Sequence, residues 1–245
     1  MINVKHMFKD LLRKTGFDVI KYNHASHPLA RRMFLINKYK IDLVIDVGAN
    51  TGQFGTILRR AGYTKKIVSF EPLSEAFSKL KKNTKTDLQW EVHNYGLGNK
   101  SEKVEINVAN NSQSSSILSM LDSHINAAPE SKYIKKETIK IETLDNIFDE
   151  IAKKDNRIYL KVDTQGFEKQ VVEGVRKNLN KITGIQLELS LIPLYAGEDP
   201  LQKMVTFMDE LGFTLMNLEP GFANPESGQL LQVDGIFFRE SENSL

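Results

Sequence analysis

The sequence predicts an α/β fold: a mostly parallel sheet flanked by helices, closed by an antiparallel C-terminal pair and preceded by a helical extension. Three observations predict it. From residue 42 onward, short β-branched runs alternate with helix-length amphipathic segments, the pattern of right-handed βαβ units. A glycine-bearing loop, Gly48 to Gly52, follows the first strand directly. The last two strand-like segments have no helix between them, which suits a closing antiparallel pair.

Residues 1–40 form the extension and residues 41–245 the main domain. Val4, Met7, Phe8, Leu11 and Leu12 recur at helical spacing and make one apolar stripe. Gly16 suits the cap that ends this helix. The stripe is short and is expected to pack on the main domain rather than enter lipid. A second helix is expected over Pro28 to Tyr39, with Pro28 in its first turn. The extension holds nine basic and two acidic residues, a net +7 in a chain whose total is +2, which leaves −5 for the rest. Such an arm can meet phosphates or an anionic membrane surface weakly, or can simply be a solvated face.

In the main domain, Asp42–Val47 reads as the first strand and Phe54–Ala61 as a helix stopped by Gly62. Lys66–Phe70 is a strand, and Ser74 can cap a helix over Glu75–Lys82. Trp90–Asn94 follows as a third strand. Val104, Ile106 and Val108 alternate as an extra strand before the polar stretch Asn110–Ser116. Ile139–Ile141 is short and extended, and Leu144–Ile151 is helical. Arg157–Val162 is a buried-type strand, Glu168–Leu179 a helix, Ile185–Leu189 a strand and Leu201–Leu211 a helix stopped by Gly212. Phe213–Leu218 and Val233–Phe238 close the sheet.

Composition excludes several classes. The chain has 245 residues, is 40% apolar and contains no cysteine. It can therefore bury one sizeable core, and it carries no disulfide, thiolate metal site or cysteine nucleophile. No apolar run approaches the roughly 20 residues that span a bilayer. Met1 to Asp10 lacks the apolar core of a secretory signal, so a soluble cytoplasmic protein is expected. The acidic main domain has no basic, aromatic-rich motif, so no nucleic-acid partner is expected.

The chemistry concentrates at strand ends. Asp46-Val-Gly48-Ala-Asn50-Thr-Gly52 turns sharply onto a helix N-terminus whose N–H groups lack partners. A dinucleotide fold would use GxGxxG, which is absent. Here an acid stands two residues before the first glycine, where it can receive an ammonium group. Glu71 ends the next strand about 20 residues later, where a carboxylate can accept both ribose hydroxyls. Together these residues describe a nucleoside site. Asp163 and Glu188 end later strands at the mouth where α/β folds place ligands. Either can act as a base. A pair of carboxylates can also hold a divalent cation, but the fuller cluster such a site needs is not evident, and no metal is expected. His93 beside Asn94 reads as a structural histidine, and Glu168 as a helix N-terminal acid favoured by the macrodipole.

These motifs carry a resemblance. Asp46 to Gly52, Phe70-Glu-Pro72, Lys161-Val-Asp-Thr-Gln-Gly-Phe-Glu168 with Gly174, Gln186-Leu-Glu-Leu189, Tyr195 and Asp234-Gly-Ile-Phe-Phe-Arg239 together resemble the FkbM family of methyltransferases. The resemblance implies a Rossmann-like class I methyltransferase sheet and S-adenosyl-L-methionine as donor. The implied acceptor is a hydroxyl oxygen, often on a sugar, glycan or secondary metabolite. It places Asp46, Gly48, Asn50, Gly52 and Phe54 around the methionyl part, with Ala49 beside them. It places Glu71 and Pro72 at the ribose and Asn94 and Tyr95 at the adenine. Ser114, Ser115 and Ser116 would border the acceptor, though they also read as a flexible polar loop. The family's frequent Asp-Val-Glu-Gly run stands here as Asp163-Thr-Gln-Gly166, so the role of that glutamate does not carry over. This departure keeps a second reading open, an inactive module that binds the donor without transferring its methyl. A nicotinamide dehydrogenase is disfavoured by the loop spacing.

Overall fold

The computed structural model describes residues 4–239. Residues 1–3 and 240–245, the outer ends of the two expected segments, lie outside the described residues, as does the Val4 side chain of the apolar stripe. The chain divides into two compact units, residues 1–38 and 39–245.

The first unit contains helices α1 (Val4–Lys14) and α2 (Pro28–Lys38). Gly16 takes φ 86°, and its N–H donates to Arg13 O at 3.0 Å, ending α1 as expected. Met7, Phe8 and Leu11 are exposed. An eleven-residue helix with three of its apolar side chains in solvent gains little from burial.

The second unit begins with β1 (Leu43–Val47), α3 (Gln53–Arg60), β2 (Lys66–Phe70), α4 (Ser74–Thr84), β3 (Trp90–His93), β4 (Gly96–Leu97) and β5 (Glu102–Ala109). It continues with α5 (Asp122–Ala127), β6 (Tyr133–Glu142), α6 (Leu144–Ile151), β7 (Ile158–Val162), α7 (Glu168–Glu173) and β8 (Ile182–Ser190). It ends with α8 (Leu201–Glu210), β9 (Thr214–Pro220) and β10 (Gln232–Phe238). Seven strands form one sheet in the order β3-β2-β1-β7-β8-β10-β9. The first five run parallel, and β10 runs antiparallel to both β8 and β9. The order reverses between β1 and β7, and the crevice outside the strand ends at such a switch point is where these folds bind ligands.

Strand periodicity divides the sheet into two unlike faces. On one face Leu43, Ile45, Leu160, Val162, Ile185 and Leu187 bury against Phe148 of α6, Val171 of α7 and Met208 of α8. Each such side chain stabilises the fold by about 1.5–3 kcal/mol. On the other face the register aligns Asp46 with Lys161, Lys161 with Gln186, Gln186 with Ile236 and Ile236 with Asn217. One step nearer the mouth, Glu188 faces Asp234 and Asp234 faces Glu219. Asp46, Lys161, Gln186 and Asn217 are thus buried polar groups in a row interrupted only by Ile236.

The middle of the chain departs from expectation. The two short strands expected there are longer, and they pair with each other. β5 and β6 run antiparallel, and β4 joins β6 to complete a second, three-stranded sheet. Ile106, Val108, Ile139 and Ile141 form its apolar face against Leu73 and Ala76. Ser74 does not cap α4. Its N–H and hydroxyl both donate to Glu137 of β6, at 2.9 and 2.5 Å, so a distant carboxylate occupies the helix N-terminus instead. Helix α7 stops at Glu173 rather than Leu179. There Asp145 accepts from the N–H groups of Lys177 and Asn178, at 2.9 and 3.1 Å, and redirects the chain.

Gly174 marks this turn. A Cβ there would lie 2.0 Å from the Gly98 carbonyl oxygen, although the φ of −74° is ordinary. Gly174→Ala is therefore expected to destabilise through overpacking alone, by roughly 1–3 kcal/mol. Urea denaturation checks this, and an unchanged midpoint would show that the backbone at Gly98 yields freely.

Candidate active site

The loop after β1 is bent by three left-handed residues, Gly48 (φ 74°), Asn50 (φ 47°) and Gly52 (φ 91°). Gly48 is required for a second reason: a Cβ would lie 1.8 Å from the Asp163 carbonyl oxygen. The ends of β1 and β7 meet at this point, and only a hydrogen fits between them. The N–H groups of Gly48 and Ala49 donate to Phe70 O at 3.0 Å and bind the loop to the end of β2. Gly52 opens α3 without a side-chain cap, so the first turn of that helix presents its amides to the crevice. Trp90 lies beneath the loop, and a Cβ at Gly55 would lie 2.2 Å from its ring.

Glu71 is buried directly beside this loop. Its carboxylate accepts from the N–H of Asn50 at 2.7 Å and from the N–H of Leu73 at 2.9 Å. Burial pushes its pKa up to about 7, against the opposing pull of those two donors. Each oxygen keeps a lone pair for a further donor such as a ribose hydroxyl. Asn94 donates to the carbonyls of Glu71 and Pro72 at 3.0 and 3.1 Å. It fixes the strand end and is itself committed there. Tyr95 tilts against Phe70 and His93, and burial raises its pKa to about 12. His93 stacks on Phe70 and contacts Glu91 at 2.9 Å, a structural role as expected.

Asp46 has no exposed surface. The sequence suggested that it receives a ligand ammonium, but the ammonium beside it belongs to the chain. Lys161 Nζ lies 3.4 Å from Asp46 Oδ1 and 3.3 Å from Asp163 Oδ2. Ser69 donates to the other Asp46 oxygen at 3.2 Å. Burial favours the neutral form of both Lys161 and Asp46. For Lys161 the carboxylates of Asp163 and Asp46 overcome it, and the amine is held protonated. Phe54, whose ring centroid is 5.5 Å from the same ammonium, covers it from the α3 side.

Gln165 joins the two expected catalytic acids. Its Nε2 donates to Asp163 Oδ1 at 2.9 Å and to Glu188 Oε2 at 2.6 Å. Its Oε1 accepts from the Tyr195 hydroxyl at 2.6 Å, which fixes the amide orientation. Gln232 gives Glu188 Oε2 a second donor at 3.0 Å. Burial, and then the charge of Asp163, raise the Glu188 pKa well above the usual carboxylate range. Asp163 keeps a side chain 36% exposed at the mouth. The two neighbouring carboxylates thus differ in setting, one buried with its pKa raised, the other open at the mouth.

Gln165 sits at φ 57°, a left-handed conformation costly for a residue that carries a Cβ. Glu168 holds it there. Its Oε1 accepts from the N–H of Thr164 at 2.8 Å and of Gly166 at 3.3 Å. Glu168 is buried, and burial raises its pKa to about 7. It is a loop clamp rather than only an acid at a helix start.

Ser114, Ser115 and Ser116 are buried rather than a flexible border. Ser114 donates to Ser131 at 3.1 Å, Ser115 accepts from the N–H of Ala109 at 2.9 Å, and Ser116 donates to Gln165 O at 2.7 Å. They build the loop's frame. Ser112 is the residue of this segment that reaches the crevice, accepting from Asn50 Nδ2 at 3.1 Å. Among the described residues, no group of three or more His, Cys, Asp or Glu is placed to hold a metal ion. Sequence reasoning missed Lys161, Gln232 and Ser112 as site residues. Lys161 left a readable signal: a charged residue inside the apolar strand Ile158-Tyr-Leu-Lys-Val162, two positions before Asp163 and so on the same face.

The family described as Methyltransferase FkbM domain matches residues 46–215. No protein of curated function matches the sequence. Among solved structures, similar ones include an rRNA methylase from Streptococcus thermophilus, with 13% identity over 91% of this chain and 99% of that one and a TM-score of 0.47. A SAM-dependent methyltransferase from Anabaena variabilis is also 13% identical, over 98% and 96% of the two chains, with a TM-score of 0.47.

The buried triad sets a test of the site's electrostatics. Lys161→Met would strand the Asp46 carboxylate without its cation, and is expected to destabilise by roughly 3–5 kcal/mol. Adding Asp46→Asn should recover much of that loss. Chemical denaturation of the two variants decides it. A Lys161→Met protein of native stability would show that Asp46 is neutral and needs no counter-ion.

Proposed function

The chain belongs to the FkbM family of methyltransferases, and on that premise we propose that it methylates a hydroxyl oxygen of a sugar, a glycan or another hydroxylated metabolite. The family's donor is S-adenosylmethionine, and the residues present fit it. The glycine loop offers a concave backbone at Gly48 and Gly52, uncapped helix amides for a carboxylate, and Glu71 for a ribose. When bound there, the donor supplies an electrophilic methyl group on its sulfonium.

The observation that carries the reading is the open carboxylate of Asp163. Its backbone carbonyl touches the Gly48 position, so the acid lies directly beside the donor cradle. An attacking hydroxyl must lose its proton as the carbon–oxygen bond forms. Asp163 is the base suited to accept that proton: Lys161 and Gln165 hold it in place by its two oxygens. Glu188, buried and joined to Asp163 by the Gln165 amide, helps orient the acceptor. Asp234 extends the row of hydrogen-bond acceptors along the strand ends, and such a row suits a partner rich in hydroxyl donors. This connected network also favours an enzyme over an inactive binding module. The departure at Gln165 does not leave a gap, because its amide bridges two carboxylates that would otherwise repel.

Transfer from labelled donor to a panel of nucleotide sugars, glycans and hydroxylated secondary metabolites is expected to succeed on a hydroxyl. Methylation of amines or carbon acids alone would overturn the proposal. Asp163→Asn should keep donor affinity and lower single-turnover transfer by about 100-fold or more. A folded variant with undiminished transfer would move the base to Glu188.

Donor binding should also depend on pH. Glu71 has a pKa raised to about 7, and its ionised form is the better acceptor for ribose hydroxyls. Donor affinity measured by calorimetry should therefore rise as pH increases through 7. It should lose that dependence in Glu71→Gln. A wild-type profile flat across this range would remove Glu71 from the contact.

A further inference from the structure

We propose that the N-terminal unit seats this protein on an anionic membrane surface through α1 and the segment that follows it. Thirteen large apolar side chains are exposed among the described residues, and seven of them fall within residues 7–22. They are Met7, Phe8 and Leu11 on α1, then Phe17, Val19, Ile20 and Tyr22. Scattered exposed apolar residues need no explanation, whereas a run of seven in one short segment marks an interaction surface.

The charge around this run selects the partner. Lys9, Lys14 and Lys21 lie in the same segment and make no ion pair among the described residues. Arg13 is held by Asp10 and Asp18, at 3.6 and 3.2 Å. On α1 Lys9 lies off the apolar stripe of Met7, Phe8 and Leu11, while Lys14 follows that stripe at the last residue of the helix, where its long side chain can carry the ammonium out to the headgroups. This is the arrangement of a helix that lies in a lipid interface, with its apolar side among the acyl chains and its lysines among the headgroups. The helix is about 16 Å long, and no helix among the described residues is long and apolar enough to cross a membrane. It therefore lies along the surface.

Other occupants fit less well. A second copy would bring the same lysines to the same face and set like charge against like charge. A nucleic acid would match the lysines but leave Met7, Phe8 and Leu11 in water. An anionic bilayer satisfies both halves of the pattern. This surface involves neither the donor cradle nor Asp163, so its failure would leave the proposed transfer untouched.

The test is sedimentation of the full chain with vesicles of phosphatidylcholine alone or mixed with phosphatidylglycerol, at low and high salt. The protein is expected to pellet with the mixed vesicles and to be released by salt. The double variant Phe8→Asp, Leu11→Asp should abolish pelleting while calorimetric donor binding and thermal unfolding stay at wild-type values. The double variant Lys14→Glu, Lys21→Glu should weaken partitioning by roughly tenfold or more, given about fivefold for each cation near an anionic surface. Three results would overturn the proposal. One is no pelleting with mixed vesicles, or pelleting that Phe8→Asp, Leu11→Asp leaves unchanged. Another is a dimer in sedimentation equilibrium that the apolar variant dissolves, which would give the face to a second copy. The third is retention of an RNA probe that the lysine variant loses and the apolar variant keeps.

Discussion

The buried ammonium of Lys161 is the constraint on which the rest of the site depends. It lies on the polar face of the sheet between Asp46 of β1 and Asp163 after β7, within 3.4 Å of both. One charge removed from water at that depth would be prohibitively costly, and two carboxylates make it tolerable. In return Lys161 joins the two strands on either side of the switch point. The same two strand ends approach so closely that only glycine fits at position 48. The glycine loop and the proposed base therefore both start from one joint between the ends of β1 and β7.

From that joint the site extends by hydrogen bonds rather than by apolar packing. Asp163 is held by Lys161 and Gln165, Gln165 by Tyr195, and the loop that carries Gln165 by Glu168. Buried polar networks are stable only when each member is satisfied. Here the demanding member is Gln165, which must bridge two acids from a left-handed backbone. Glutamate at that position would place three carboxylates together, whereas the amide supplies donors to both neighbours. The chain thus reaches the same corner of the fold with a different charge balance from the family's usual run.

The second sheet has a comparable organising part for the other wall. β6 supplies Glu137 to the start of α4, and the segment after β5 supplies Ser112 to Asn50 and Ser116 to the Gln165 carbonyl. A region that looks like a polar linker between strands is in fact the frame that connects the glycine loop to the acid loop. Its serines are conspicuous by composition but consumed by structure.

Much of the main sheet was legible in the sequence because its signals are local. The central parallel strands are short runs rich in β-branched residues, the turn after β1 carries its glycines, and Glu71 and Asp163 directly follow β2 and β7, while Glu188 lies two residues inside the end of β8, which runs on to Ser190. Asp46, Gly48 and Gly52 were recognisable from spacing alone, since a tight β–α turn fixes both the residue type and the interval. Other features are set by pairing across the chain and have no local period. The partnership of β5 with β6, the capture of Ser74 by Glu137 and the early end of α7 at the Asp145 turn all join residues far apart in sequence. The same holds for Asp46, whose neighbour was decided by the register that aligns it with Lys161. Sequence determined which residues stand at or near the strand ends; only the tertiary structure decided which of them are buried in charge pairs and which stay open, because burial and charge pairing depend on what the neighbouring strand brings alongside.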